Sequence, residues 1–457
     1  ASCTVGPNYV RPTVEVPAAY RANQGWQIAR PQDAALRGNW WEMFSDPQLN
    51  AFEAQVEVSN QNVAFAEAQF RQARALVQQA RAAYFPTVTV GVGVTNSSLS
   101  TTIARSAGSR FSSMLYSLPV DVSWEIDVWG RIRRLVESSQ ASAQASAADL
   151  ETALLSAQIE LAQDYFQLRT LDTERQLLDA STADFQMSLD LTNNRYASGV
   201  ASRADVLLAE TQLKTTQAQA IDVGVERAQL EHAIALLIGK PASNVIIAPA
   251  PLTMSITPPS IPVGIPSEVL EQRPDIASSE RLVAAANAQI GAAEAAYYPT
   301  VSLGATGGFQ SGGLSQWISA PSRFWAMGPA ISETVFDGGK RAGLTDQARA
   351  LYDGNVASYR QTALSAFQQV EDNLAALRIL ESEAQVQDQA VKAAQQTVAI
   401  VTNQYKTGIT SYLDVIVAQT AALNNERTAI TILGNRLNAS VLLIKALGGG
   451  WNVAKLP

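Results

Sequence analysis

Two matching turns, 209 residues apart, constrain this chain more than any other feature. "RYASGVASRADVLLAET" at 195–211 returns as "QYKTGITSYLDVIVAQT" at 404–420. Tyr196, Gly199, Ser202, Asp205, Val206, Ala209 and Thr211 are answered by Tyr405, Gly408, Ser411, Asp414, Val415, Ala418 and Thr420. The duplication reaches further. "AAYFPTVTVGVG" (82–93) recurs as "AAYYPTVSLGAT" (295–306), "DVWGRIR" (127–133) is echoed by "DGGKRAG" (337–343), and "LLIGK" (236–240) by "KALGG" (445–449). The chain therefore reads as two copies of one unit, 40–240 and 267–450. The Pro-rich joint 241–266 between them can form neither a long helix nor a central strand. A segment 1–39 precedes the copies and a tail 451–457 follows them.

Each copy carries the same elements in the same order. Asp46 is an N-cap with Pro47 at the first helical position, and the helical pattern that follows runs to Tyr84, before Phe85-Pro86. Alternation comes next, with Val88, Val90, Val92 and Val94 on one face and Thr87, Thr89, Gly91, Gly93 and Thr95 on the other. After a Ser/Thr/Gly loop it resumes, with Val120, Val122, Trp124, Ile126 and Val128 opposite Asp121, Ser123, Glu125 and Asp127. This predicts a β-hairpin over 87–128 and its counterpart over 300–336, where Pro329 and Glu333 break the alternation and leave the fourth strand's register open. A soluble sheet can alternate in this way. Here, however, no other helix of the copy offers a broad apolar face to cover the hairpin.

From Gly130 to Gly199 there is no internal Gly or Pro, enough chain for a helix of about 100 Å. Leu150, Leu154, Ala157, Leu161, Tyr165 and Leu168 form a narrow coiled-coil seam, repeated by Leu364, Phe367, Val370, Leu374 and Leu377. Narrow seams with Ala and Ser on other flanks suit helices that touch neighbours on two sides, as in a cylinder wall. Gly199 and Gly408 supply the left-handed residue that ends a descending helix, and Ser202-x-x-Asp205 and Ser411-x-x-Asp414 are capping boxes for the ascending one. Each copy is thus a long helical hairpin with a β-hairpin at its other end.

Composition excludes several functions. The chain is acidic, with 33 Lys+Arg against 41 Asp+Glu, and its longest basic run is "RIRR", so no nucleic-acid partner is expected. No run of about 18 apolar residues offers a transmembrane helix. One His and one Cys cannot build the usual zinc sets within a chain, and His232 stands at a helix end as a packed or solvated side chain. No metal site, cofactor or catalytic residue is expected, and the chain does not read as an enzyme. Asp121, Glu125 and Asp127 most simply line a wet lumen. Arg131, Arg133 and Arg134, echoed by Lys340 and Arg341, are either a solvated face or an anchor for lipid phosphate. Cys3 is either the lipidated residue of a bacterial lipoprotein or a free thiol.

Four strands cannot close a barrel, and open edges in lipid leave backbone groups unpaired. At least two chains must therefore join; arithmetic alone does not choose among two, three or four. In combination, "CTVGPNYVRP" (3–12), "WWEMFSDPQL" (40–49), "WEIDVWGRIRR" (124–134), "QRPDIASSERLVAAANAQIGAAEAAYYPTVSLGA" (272–305), "TSYLDVIVAQ" (410–419) and "ALGGGW" (446–451) resemble the outer membrane factor (TolC) family, most closely its lipoprotein branch of OprM-type channels.

The resemblance implies a mixed α and membrane-β fold: a homotrimer whose twelve-stranded barrel in the bacterial outer membrane continues into a periplasmic barrel of twelve helices. It implies an equatorial domain that includes the Pro-rich joint and the tail. The expected function is the passive exit duct of a tripartite efflux pump. A periplasmic adaptor (membrane fusion) protein and an inner-membrane pump are the expected partners, with outer-membrane lipid around the barrel and a covalent lipid on Cys3. Thr4, rather than Asp, after the cysteine fits export to the outer membrane. The competing reading is a trimeric coiled-coil structural or adhesin protein, which would need helices denser in Leu, Ile and Val.

By the same resemblance, Tyr405, Leu413 and Asp414 form the pore constriction. Val417 stands where the family has a second acid, so one ring of carboxylates is expected, not two. Like charges meeting there would raise at least one apparent pKa. Ser198, Gly199, Val200, Thr407, Gly408 and Ile409 are the expected adaptor-contacting turns.

Overall fold

The computed structural model describes residues 4–21, 38–98, 112–252, 258–259, 261 and 266–456. The expected lipid-bearing Cys3 lies outside the described residues, as do most of the first loop of the sheet and part of the Pro-rich joint. The helices are α1 (Pro47–Ser59), α2 (Gln61–Ala82), α3 (Arg131–Ala197), α4 (Arg203–Leu237), α5 (Pro266–Gln272), α6 (Pro274–Ala295), α7 (Lys340–Lys406) and α8 (Tyr412–Ala446). The strands are β1 (Thr87–Val90), β2 (Gly93–Ser98), β3 (Ser112–Ile126), β4 (Thr300–Ser311) and β5 (Arg323–Ser332). The duplication is metrically close: α3 and α7 each have 67 residues, and α4 and α8 each have 35. By contacts the chain forms two compact units, one of 1–13, 69–146 and 278–360, the other of 14–68, 147–277 and 361–457.

The first unit holds the sheet, in the order β1-β3-β4-β5, with β2 continuing β1 along the same side of β3. All pairings are antiparallel. The expected first strand is broken at Gly91-Val92. These residues lie opposite Leu118 and Pro119, and β1 and β2 keep one register on either side of the break. Gly91 donates to the Pro119 carbonyl at 2.9 Å, but proline has no N–H to return the bond. β5 ends at Ser332, so Glu333 lies outside the strand, and Pro329 sits opposite Leu303 on an edge strand, where a missing donor is tolerated.

The registers sort the side chains cleanly. One face carries Val88, Val90, Leu118, Val120, Val122, Trp124, Ile126, Val301, Leu303, Phe309, Trp325, Met327 and Ile331. The other carries Thr87, Thr89, Ser117, Asp121, Ser123, Glu125, Thr300, Ser302, Gly304, Thr306 and Gln310. The apolar face is uncovered, with Trp325 78%, Ile331 73%, Met327 69% and Val90 67% exposed. Two indoles tie the sheet to the helices. Trp124 Nε1 donates to the Tyr84 carbonyl at 2.9 Å and Trp129 Nε1 to that of Pro299 at 2.7 Å, with Trp129 stacked on Tyr298.

Residues 4–13 form an extended strap over this unit. Val5 N–H bonds Trp129 O, and Arg134, buried, donates to the carbonyls of Val5 and Gly6 and to Asn8. Asn287 donates to Pro7 O, Tyr9 to Glu280, Arg11 to the Tyr359 hydroxyl and Arg360 to Thr13 O. At the crossing, Gly6 (φ +90°) lies so close to Gly291 that a Cβ would stand 2.3 Å from its Cα. Three members of the basic cluster are engaged within the chain: Arg134 with the strap, Arg131 with Glu125 and Arg341 with Asp337, while Lys340 is exposed.

In the second unit, Asp46 caps α1 through Gln48 and Leu49 as expected. The helical pattern does not run unbroken to Tyr84. Asn60 ends α1 and caps α2, its Oδ1 accepting from Asn62 and Val63 while its Nδ2 bonds Leu237 O. Ala157, Leu161, Tyr165 and Leu168 of the α3 seam are buried, as are Phe367, Val370, Leu374 and Leu377 of α7, whereas Leu364 is exposed. The joint is held by charge. Arg169 and Asp172, both buried, and Arg227 and Glu231 take up the backbone of Ile247, Ala248 and Ala250.

Candidate functional site

The two duplicated turns are built alike. Val200 N–H bonds Arg195 O and Gly199 N–H bonds Tyr196 O; Ile409 and Gly408 bond Gln404 and Tyr405 in the same way. Each is a helix stop with glycine at the left-handed position, φ +75° in Gly199 and +80° in Gly408. Ser202 and Ser411 then cap α4 and α8, their backbone N–H groups bonding Asp205 and Asp414 at 2.9 and 3.1 Å. Between stop and cap only a few residues turn the chain, and all six expected contact residues are exposed, Val200 by 65% and Ile409 by 76%.

The turns share a core. Ala209, Tyr405, Tyr412 and Val415 form one buried cluster, with Leu189, Leu191, Val401 and Ile416 packed against it. The duplication breaks here in an informative way: Tyr196 is 45% exposed, whereas its counterpart Tyr405 is 4% exposed. The Tyr405 hydroxyl meets Thr192 at 3.4 Å and its ring packs 5.4 Å from that of Tyr412. Burial pushes the Tyr412 hydroxyl up to about 12. Of the expected constriction residues, Tyr405 therefore faces the joint core, while Leu413 (56% exposed) and Asp414 face out of the chain.

Arg195 was not expected. Its guanidinium lies 4.6 Å from the centre of the Tyr405 ring, and Nη1 donates to Lys406 O at 3.2 Å. A cation thus sits on the π face of the tyrosine and at the negative end of α7. The signal was present in the duplication: Arg195 and Gln404 occupy the same place before the paired tyrosines.

Within one chain, where among the described residues no second carboxylate faces it, Asp414 is set by its own cap. Its carboxylate accepts from the Thr410 hydroxyl, from the Ser411 hydroxyl at 2.8 Å and from the Ser411 N–H. These bonds, Thr410 first, hold it below the ordinary carboxylate value. Repulsion among copies would act against a group already biased toward ionisation.

The expected lumen acids have three different fates. Asp121 is exposed on the small-residue face and accepts from Thr306. Glu125 shares that face, but Arg131 grips it with two bonds of 3.0 and 2.7 Å. Asp127 lies past the strand end and caps α3, accepting from the N–H groups of Ile132 and Arg133. Its alternation with Asp121 continued one step too far, because a helix start also calls for an acid. His232 is exposed. Among the described residues no cluster of metal-ligating side chains occurs, and no helix is long and apolar enough to cross a membrane.

Comparison with known proteins places these features together. The family model for the outer membrane efflux protein matches residues 53–240 and 265–449, which are the two copies. The solvent efflux pump outer membrane protein SrpC of Pseudomonas putida is 32% identical over 460 residues, 99% of this chain and 96% of that protein. The solved outer-membrane channel OprN superposes with a TM-score of 0.92 at 30% identity, covering 98% of this chain and all of that one. The open state of the MtrE outer membrane channel of Neisseria gonorrhoeae gives 0.84 at 26% identity over 98% of both chains. A duplicated unit of long capped hairpins and half-exposed β-hairpins, matched along its whole length, belongs to the outer membrane efflux protein family.

Proposed function

We propose that this chain is the outer-membrane exit duct of a tripartite efflux pump, a passive conduit for small toxic compounds rather than an enzyme or a solid stalk. One observation carries the reading: a sheet one strand-layer thick that, among the described residues, has an uncovered apolar face, a small polar face, and unpaired edges at β1/β2 and β5. Such edges are untenable in lipid unless other copies close them. With β1 and β2 counted as one broken strand, three copies give twelve strands, within the range of membrane barrels, and the four long helices α3, α4, α7 and α8 give a tube of twelve. The small polar face lines the barrel and the apolar face meets lipid. Relatives described as solvent and antibiotic efflux components support a cargo of small hydrophobic toxicants.

A lipid on Cys3 completes the anchoring. The strap leaves Thr4 against Gly130 and bonded to Arg133, at the junction of β3 and α3. The turns at Gly199 and Gly408 meet a periplasmic adaptor, which couples the duct to an inner-membrane pump. Leu413 and Asp414 constrict the closed end, while Tyr405 holds it from behind. Purified protein in planar bilayers tests the duct: discrete single-channel steps from a trimeric band support it, and a trimer without conductance supports the stalk. Mass spectrometry of the native N-terminus showing unmodified Cys3 overturns the lipid.

A further inference from the structure

We propose that the loop-side rim of the sheet, around Arg323 and Trp317, binds a phosphorylated glycolipid of the outer leaflet. The proposal rests on reading the sheet as membrane-spanning. Along β5 the side chains of Ile331, Pro329, Met327 and Trp325 occupy the apolar face, and Arg323 ends the series opposite Phe309. The nine residues of strand from Ile331 to Arg323 cover about 27 Å, roughly 21 Å along the membrane normal at a tilt of about 40°, which reaches across most of the apolar band of about 25 Å on outer-membrane barrels. The helices leave the sheet at the Ile331 end, since β3 passes into α3 there and α6 enters β4. Arg323 therefore stands at the opposite border, where the outer-leaflet headgroups begin.

The guanidinium at that border is exposed. Among the described residues it is the only charge on the apolar face, and no carboxylate there answers it. This is not a general basic character, because the chain carries a net charge of −8. A second unpaired donor lies six residues before it in the chain. Trp317 packs its ring 5.7 Å from that of Tyr116, which shares the apolar face, yet its Nε1 is buried without an acceptor. The loop carrying it is short and locked: Ser319 and Ser322 both donate to Gln316 O, at 2.7 and 2.6 Å. That lock holds out Leu314 and Ile318, 65% and 68% exposed.

Two exposed aliphatics alone mean little. Together with an indole and a lone cation at headgroup depth they match a lipid with both an acyl and a phosphate part: Leu314 and Ile318 reach acyl chains, the indole lies at the interface, and the guanidinium takes the phosphate. A planar five-donor fork suits a phosphate group better than a lysine would.

The experiment uses full-length protein purified in detergent, exposed to bisphosphorylated lipid A or its dephosphorylated form, with retained lipid measured by native mass spectrometry. Wild type should retain the phosphorylated form about fivefold better than Arg323→Gln, the change expected of one basic residue at an anionic surface. Both proteins should hold the dephosphorylated form equally. Trp317→Phe, which keeps the ring and removes the N–H, should give an intermediate loss. Equal retention by wild type and Arg323→Gln overturns the proposal, as does release of lipid by millimolar inorganic phosphate. Loss of the trimer in Arg323→Gln also overturns it, by making the rim a contact between copies. Failure of wild type itself to conduct in bilayers would instead sink the duct reading.

Discussion

The Arg195 guanidinium covers the face of the Tyr405 ring at 4.6 Å and donates to Lys406 O, so a side chain of the first turn closes onto the second. Arg195→Gln, which copies the residue of the other repeat, should remove about 1 kcal/mol of this closure. The expected result is a roughly fivefold higher open probability in single-channel recordings, with Arg203→Gln, on an exposed neighbour, unchanged. Equal traces from the two variants would show that the contact does not hold the turns.

Asp414 and Asp205 separate the gate from the fold. Both cap a helix, but only Asp414 belongs to the proposed constriction. Asp414→Ala should weaken cation preference and block by multivalent cations, whereas Asp205→Ala should leave conductance unaltered. For pH, the folded-state carboxyl of Asp414 lies below its ordinary value, so its cap is present above the unfolded carboxylate pKa and is lost as pH falls through the lowered one. Thr410→Val removes the leading cause and should raise the Asp414 pKa, as followed by NMR of the labelled side chain.

Charge at the turns should uncouple the duct from its partner. Nothing lies within 4 Å of a Cβ built on Gly199, but its φ is +75°. Gly199→Glu therefore costs about 1 kcal/mol of local strain, too little to prevent assembly. Export should be lost while the trimer and its conductance persist. Retained export with a charged turn, or crosslinks to adaptor only beside the strands, would move the docking surface elsewhere.

Glu53 gives the opposite pH signature to Asp414. On the buried face of α1 beside Leu49 and Val56, it is fully buried with neither oxygen bonded. Burial alone pushes it from 4.5 to about 9. The unfolded chain ionises first, so stability should fall with rising pH between about 4.5 and 9 and then level off. Thermal unfolding of Glu53→Leu should lose this slope and gain about 1–3 kcal/mol at neutral pH. An unchanged slope would mean that the carboxyl finds a partner in solution.

Much of this was legible because duplication and backbone chemistry repeat each other. Gly199 and Gly408 with the Ser–Asp pairs marked both turns, and alternation marked the sheet faces. What escaped depended on partners far along the chain. The strand break required knowing that Gly91 faces Pro119, and the helix break that Asn60 reaches Leu237. Asp127 fitted a strand pattern and a helix cap equally well. Only tertiary packing distinguishes buried Tyr405 from exposed Tyr196, although the Arg195/Gln404 mismatch hinted at it.

The Gly6–Gly291 crossing carries a consequence in time. A chain threaded outward from its N-terminus delivers residues 4–13 long before the partners that hold them, since Glu280, Asn287, Gly291 and Tyr359 come hundreds of residues later. The strap is therefore among the first segments to arrive and among the last to settle. During that delay the segment next to Cys3 stays accessible, and its docking registers that the second copy has arrived and folded. A strap-specific protease site should disappear only after the chain is made through Arg360, which makes the earliest residues a late checkpoint on assembly.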